Sequence, residues 1–280
     1  MTPRDVGFGC LALAFCGAML QGVTRSSDPV LCFLDVGQGD AIVLRDGRRT
    51  LLIDAGGSDP FFNAGERRVA PRLRELGVDR IDLWVLTHPD RDHIGGFTAA
   101  RRHRRIGRII THAAFRDRPE IQPVLESGAD VVWGSERTEI RWDNFTIWLH
   151  FPPSDQFEAD NDRSVVVELE SRGARALLTG DLGSVAEPWL ISQGVSPVQV
   201  LKAGHHGSFG STSPELLAAM QPEWVVISAG RRNLYRHPHP AVLDRAESAG
   251  ARVARTDRKG PVCFHPQNGR FRLTPWPGIR

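Results

Sequence analysis

Lysine is nearly missing from this chain: of 35 basic side chains only Lys202 and Lys259 are lysines, and the rest are arginines. Acidic residues number 33, so the formal charge is only +2 and no strong overall field steers a charged partner. Attraction for an anion must therefore be local. Arginine-rich stretches at residues 67–74 and 101–105 could contact phosphate, although a charge run is first of all a solvated helix face. Cysteine is scarce too. No pair among Cys10, Cys16, Cys32 and Cys263 has zinc-ligand spacing, which excludes a cysteine-built metal site. Cys32 and Cys263 alternate with apolar neighbours in strand-like runs and are expected to be buried free thiols. No internal repeat, low-complexity segment or linker follows Pro29. One domain over residues 28–280 is expected, long enough to bury a substantial core.

Residues 1–27 differ from the rest. No charge occurs from Val6 to Thr24, and the run from Cys10 to Leu20 is strongly apolar. It reads as a signal peptide, with Cys16-Gly17-Ala18 as a small-x-small cleavage site, or as a single short membrane anchor. Either places the domain outside the cytoplasm, exported or anchored. At most one such segment precedes the domain, so passage of a polymer through a pore formed by this chain alone is not expected.

Beyond Pro29, short β-branched runs alternate with helical segments. Strands are expected at residues 31–36, 41–45, 50–54, 81–87, 106–111, 130–133, 145–151, 164–170, 174–179, 198–202, 224–228, 252–255, 261–265 and 270–273. Helices are expected at 63–76, ending at Gly77, and at 96–105, 119–126, 184–193, 214–220 and 240–249. The strand-rich halves suggest an α+β fold of two sheets packed face to face with helices outside, while the pattern alone supports only mixed α and β.

The chemistry concentrates in His88-Pro89-Asp90-Arg91-Asp92-His93, which follows an apolar strand and precedes Gly95-Gly96. Two imidazoles and two carboxylates in six residues form a ligand pattern. An N-terminal helix cap would account for Asp92 alone. In an extended segment His88, Asp90 and Asp92 share one side and His93 turns toward a second point, a spacing suited to two ions. Asp54, Asp181 and the pair His205 and His206 each end an apolar strand followed by small residues, where a rigid scaffold delivers active-site groups.

Seven segments together resemble the metallo-β-lactamase superfamily, and within it the hydrolase domain of the ComEC family of DNA-uptake channel proteins. They are Phe33-Leu-Asp-Val-Gly-Gln-Gly-Asp-Ala41, Leu52-Ile-Asp-Ala-Gly-Gly57, Thr87-His-Pro-Asp-Arg-Asp-His-Ile-Gly-Gly96, Asn161-Asp-Arg-Ser164, Leu178-Leu-Thr-Gly-Asp181, Leu201-Lys-Ala-Gly-His-His-Gly-Ser208 and His237-Pro-His239. The resemblance implies a four-layer αββα sandwich with two divalent ions at one edge. By that analogy His88 and Asp90 hold one ion, Asp92 and His93 the other, and Asp181 bridges them. His205 completes the second site, with His206 as the alternative. Asp54 lies beneath and orients the cluster.

Two departures from the wider superfamily are shared with ComEC-like sequences. Asp90 replaces the second histidine of His-x-His-x-Asp-His. The third histidine before the bridging aspartate is missing, and that place reads Asp160-Asn-Asp-Arg-Ser164. The harder ligand set favours manganese or magnesium over an all-nitrogen zinc site, with zinc still open.

The activity implied is metal-dependent hydrolysis, foremost of single-stranded DNA, with Asp92, Asp54, Lys202 and His206 as catalytic candidates. Lys202, His206, Ser208, His237 and His239 are expected around an anionic substrate. Asp40 either orients the ligands or stabilises its own glycine turn. Competing readings are a lactone or β-lactam hydrolase and a DNA-binding module without catalysis. The partners implied are DNA, the membrane through the N-terminal segment, and a separate DNA-uptake channel.

Overall fold

The computed structural model describes residues 29–277. The proposed signal peptide or anchor at residues 1–27 lies outside the described residues. Among the described residues no helix is long and apolar enough to cross a membrane.

The strands are β1 Val30–Phe33, β2 Ile42–Asp46, β3 Arg49–Ile53, β4 Arg80–Val85, β5 Arg105–His112, β6 Asp130–Gly134, β7 Thr138–Arg141, β8 Thr146–His150, β9 Val166–Ser171, β10 Ala174–Leu178, β11 Val200–Lys202, β12 Trp224–Ile227, β13 Arg252–Arg255, β14 Val262–Gln267 and β15 Arg270–Thr274. They form an eight-stranded sheet ordered β15-β14-β1-β2-β3-β4-β5-β6 and a seven-stranded sheet ordered β13-β12-β11-β10-β9-β8-β7. Strands β3 to β6 run parallel, as do β10 to β13, and the remaining pairs are antiparallel.

Alternation along each strand sorts side chains between layers. Leu31, Phe33, Leu51, Ile53, Leu83 and Val85 meet Ile147, Leu149, Val167, Leu169, Ala176 and Val226 between the sheets. Cys32, Val43, Leu52 and Trp84 point outward to α1 Ala70–Glu75, α2 Arg91–Ile94, α3 Phe97–Ala100 and α4 Gln122–Leu125. Val166, Leu177, Leu201 and Val225 point to α5 Glu187–Ser192, α6 Pro214–Met220 and α7 Pro240–Ser248. The result is the expected αββα sandwich. Each fully buried large apolar side chain contributes about 1.5–3 kcal/mol relative to exposure. The apolar layers therefore hold the fold together, and the polar edge is free to serve chemistry.

Several local expectations change. The segment 96–105 is helical only over α3, because Arg105 already begins β5. Arg104 there donates to the carbonyls of Ala70, Val78, Ala100 and Arg102, so it ties loops together rather than facing a ligand. The helix expected at 63–76 starts with a wide π-type turn, Gly65–Val69, and passes into α1. A side chain at Gly65 would meet the Gly96 carbonyl, so two glycines let this turn lie against the loop after the histidine cluster. Strand β7 carries no strong apolar alternation and was not expected.

Cys32 and Cys263 are not free thiols. They face each other across the antiparallel β1–β14 pair and form a disulfide joining positions 231 residues apart. The registers of two distant strands, which local composition does not encode, bring them together. Reduction of the folded protein is expected to lower its unfolding free energy in denaturant by about 2–4 kcal/mol. Identical unfolding midpoints with and without reductant would contradict the bond.

Candidate metal centre

The site forms where strands from both sheets end. Asp54 follows β3, Thr87 and His88 follow β4, Asp181 follows β10, His205 and His206 follow β11, and Ser228 follows β12. Asp54 holds a left-handed backbone, φ 56°, which aspartate tolerates better than bulkier residues. Its carboxylate is buried and fully used. Oδ1 accepts from the Thr87 backbone N–H at 2.9 Å, and Oδ2 accepts from the Thr87 hydroxyl at 2.7 Å. Oδ2 also lies 2.8 Å from His93 Nδ1. That contact fixes the His93 tautomer and turns Nε2 toward the cluster.

Four imidazoles surround Asp181. His93 Nε2 is 3.3 Å from Oδ1. Around Oδ2 are Nε2 of His206 at 3.3 Å, of His205 at 3.8 Å and of His88 at 4.0 Å. Asp92 Oδ2 is 3.2 Å from His206 Nε2, and Asp90 Oδ2 is 3.6 Å from His88 Nε2. His206 Nδ1 lies 3.0 Å from the Ser228 carbonyl and donates to it, which leaves Nε2 facing the carboxylates, as a donor while protonated and as a ligand atom once that proton is lost. His205 and His206 are consecutive left-handed residues, φ 45° and 54°. This backbone separates the rings. His206 is buried against Asp92, while His205 is more than a third exposed and touches Asn161 and His237. It is therefore His206 that stands beside Asp92 and His93.

Two loops brace the cluster. A side chain at Gly39, φ 124°, would collide with the Asp92 carbonyl, so the glycine turn lies directly on the metal-ligand loop. Asp40 is buried beneath it. Lys202 Nζ is 2.7 Å from Asp40 Oδ2 and donates to the carbonyls of Gly180 at 2.7 Å and Ala203 at 3.0 Å. Lys202, expected beside the substrate, is wholly buried, and its ammonium also lies 3.7 Å from Asp181 Oδ1. Asp40 faces the Nδ1 edges of both His93, at 3.9 Å, and His206, at 3.8 Å.

The remaining expected residues are arranged unevenly. The His237 ring packs edge-on against His205 with centroids 5.7 Å apart. His239 accepts from the Ala241 N–H as the cap of α7 and makes no hydrogen bond or ion pair with the cluster. Ser208 closes the turn, donating its N–H to the His205 carbonyl at 2.8 Å. Thr87, Ser164 and Ser228 play supporting parts that the sequence did not single out. Ser164 Oγ accepts from the Asp181 N–H and lies 3.3 Å from His88 Nδ1. Thr87 and Ser164 stood in segments that carry the family resemblance without a part assigned to them, and Ser228 had only its place at a strand end.

The electrostatics favour a cation. Burial alone would raise the Asp181 pKa, but His206 and His93 outweigh it and hold the group well below the usual carboxylate range. Asp92 is likewise lowered against the effect of burial, by His206 and His93. Burial would depress His206, yet Asp181, Asp92 and Asp40 push it up to about 9. His88 Nε2 and Asp181 Oδ1 are buried without a hydrogen-bond partner. Asp40, His93, Asp181 and His206 bring one donor atom each within 4.8 Å of one another. Orphaned acceptors beside a compact set of imidazoles and carboxylates fit a divalent metal ion.

Two outcomes follow from this geometry. A metal must displace the His206 proton, so binding near neutral pH is expected to release protons, and affinity is expected to rise until about pH 9. Calorimetry in buffers of different ionisation enthalpy reads this directly, and proton-independent binding would contradict it. In the metal-free protein the sign is opposite. The raised His206 value contributes stability that is full below its ordinary value of 6.5 and is lost as pH rises through about 9. Separately, Asp54→Asn leaves His93 without its anionic acceptor and is expected to weaken metal affinity about 10–100-fold. Unchanged affinity would mean that Asp54 does not orient the centre.

A profile of the Metallo-beta-lactamase superfamily matches residues 34–231. ComE operon protein 3 of Bacillus subtilis is 32% identical over 272 residues, covering 89% of this chain and 35% of that protein. Competence protein ComA of Neisseria gonorrhoeae is 34% identical over 269 residues, covering 94% of this chain and 36% of that protein. The chain thus spans about a third of the length of these curated relatives. Among solved structures, the metallo-beta-lactamase fold protein YhfI from Bacillus subtilis aligns with TM-score 0.56 at 13% identity, covering 81% of this chain and 96% of that one. Igni18, a metallo hydrolase from Ignicoccus hospitalis, aligns with TM-score 0.52 at 16% identity, covering 84% and 99%. The layered fold, the polar centre at the strand ends and the profile match agree that this chain belongs to the metallo-β-lactamase superfamily.

Proposed function

We propose that this protein is a divalent-metal-dependent phosphodiesterase that cleaves single-stranded DNA outside the cytoplasm. The observation that carries the reading is the convergence of His88, His93, His205, His206, Asp90 and Asp92 around one carboxylate, Asp181, at an open edge of the sandwich. His88, Asp90 and His205 would hold one ion, and Asp92, His93 and His206 the other, with Asp181 shared between them. In this arrangement His205 occupies the side left open by the missing third histidine. Asp40 stays outside both sets, because Lys202 already neutralises it. The proportion of carboxylate suits manganese, with magnesium and zinc as the other ions to test.

Bound divalent ions supply Lewis acidity, lowering the pKa of water and offsetting charge on phosphoryl oxygens. The protein does the rest. Asp54 and the Ser228 carbonyl hold His93 and His206 in the tautomers that expose Nε2. Burial lowers the His237 pKa, so the ring is neutral at physiological pH and able to donate a hydrogen bond to a phosphate oxygen. Half-exposed Asp90 and exposed Arg91, Arg232 and Arg236 leave the entrance polar and open, which fits a polymer better than an enclosed apolar ligand.

The competence relatives support a place in DNA uptake, where a separate channel would be the partner. The Cys32–Cys263 disulfide fits an oxidising compartment. Residues 1–27 would export the domain or attach it to the membrane.

The direct test is cleavage of end-labelled single-stranded DNA with added manganese. Asp92→Ala and Asp181→Asn are each expected to lose more than the ~100-fold ceiling usual for supporting residues, while circular dichroism stays native. Turnover retained in either variant would place the centre elsewhere. No cleavage by metal-loaded wild type with manganese, magnesium or zinc would remove the nuclease reading.

A further inference from the structure

A file of rings leads outward from the proposed centre. His205 packs edge-on against His237, and His237 stacks with Tyr235, centroids 5.7 Å apart and planes inclined by 25°. Tyr235 is the last ring of this file and is 68% exposed, with Leu234 beside it 96% exposed. Such exposure of adjacent large side chains needs a reason at a site entrance. The loop that carries them is built rather than loose. Asn233 accepts from the His237 N–H at 2.9 Å and donates to the carbonyls of Gly230 at 2.9 Å and His237 at 2.7 Å. His237 Nδ1 is buried without a hydrogen-bond partner beneath Tyr235. Arg232 and Arg236 flank the tyrosine, are exposed, and form no ion pair with any described residue.

We infer that Tyr235 is a base-stacking platform: it takes the face of an unpaired nucleobase next to the phosphate held at the metal centre, while Arg232 and Arg236 hold the flanking backbone. The inference rests on the nuclease reading and adds what selects the strand. Aromatic faces and nearby arginines are the means by which single strands are held without sequence preference. A duplex buries its base faces in its own stack and offers this tyrosine nothing. Tyr235 is thereby a selectivity residue, distinct from the imidazoles that surround Asp181.

Tyr235 is the single tyrosine of the chain, so the full-length protein labelled with 3-fluorotyrosine gives one fluorine resonance. It is titrated with a phosphorothioate oligothymidylate, with an abasic strand of equal length and charge, and with a duplex, while fluorescence anisotropy follows binding. The expected result is a saturable shift with oligothymidylate and none with the abasic strand or duplex. Tyr235→Ala is expected to weaken oligothymidylate binding about tenfold, at the lower part of the range for one stacked base, and Tyr235→Phe to restore it. Strand binding with an unmoved resonance, or an equal shift with the abasic strand, overturns the stacking role and leaves the nuclease reading standing if cleavage persists. Absence of both strand binding and cleavage in the labelled wild type removes the nuclease reading and the platform with it.

Discussion

Three carboxylates, Asp40, Asp54 and Asp181, are buried together at one end of the sandwich, and every other feature of the site answers that charge. An unpaired buried ion costs several kcal/mol even after the surroundings relax. Each of the three is answered differently. Asp54 is saturated by Thr87 and His93. Asp40 has the ammonium of Lys202, which in a chain with two lysines is reserved for this interior position. Asp181 has four imidazoles around its oxygens and the Lys202 ammonium 3.7 Å from Oδ1, an oxygen that has no hydrogen-bond donor. Asp54 is thus fully hydrogen-bonded, whereas Asp40 and Asp181 both belong to the buried group that could hold a cation.

The fold delivers this arrangement by ending strands of both sheets at one edge. Glycines permit the close approaches: Gly39 lies on the Asp92 carbonyl, and a side chain at Gly207, φ 80°, would run into Pro238. Buried Glu187 accepts from the backbone N–H groups of Thr212 and Ser213, and Thr212 accepts from the Gly204 N–H. The turn bearing His205 and His206 is therefore held from behind. Left-handed conformations at non-glycine residues cost on the order of 1–3 kcal/mol each and persist where surrounding contacts impose them.

Much of this was legible in sequence, for physical reasons. His88, Asp90, Asp92 and His93 stood out because a solvated loop or a helix cap does not call for four ligand-type side chains beside an apolar strand. Strands followed from short apolar runs such as Val30–Phe33, while the four-layer order came from the family resemblance. Other features depend on three-dimensional facts that composition does not carry. The disulfide needed the register of β1 on β14. The division of labour between His205 and His206 needed two consecutive left-handed residues. Lys202 read as a substrate contact because it sits near histidines in sequence, whereas its strand direction carries it under the site. Tyr235 gave no signal, since a lone aromatic in a loop acquires meaning only when it stacks on His237.

The chain belongs to a superfamily in which one sandwich serves many chemistries, so function must be argued from the site. Here the decisive feature is that Asp181 stands between two groups of donors. Anomalous diffraction from crystals soaked in manganese tests this most directly. The expected result is two peaks flanking Asp181, one beside His88, Asp90 and His205 and one beside Asp92, His93 and His206. A single peak among Asp40, His93 and His206, or none near Asp181, would contradict it.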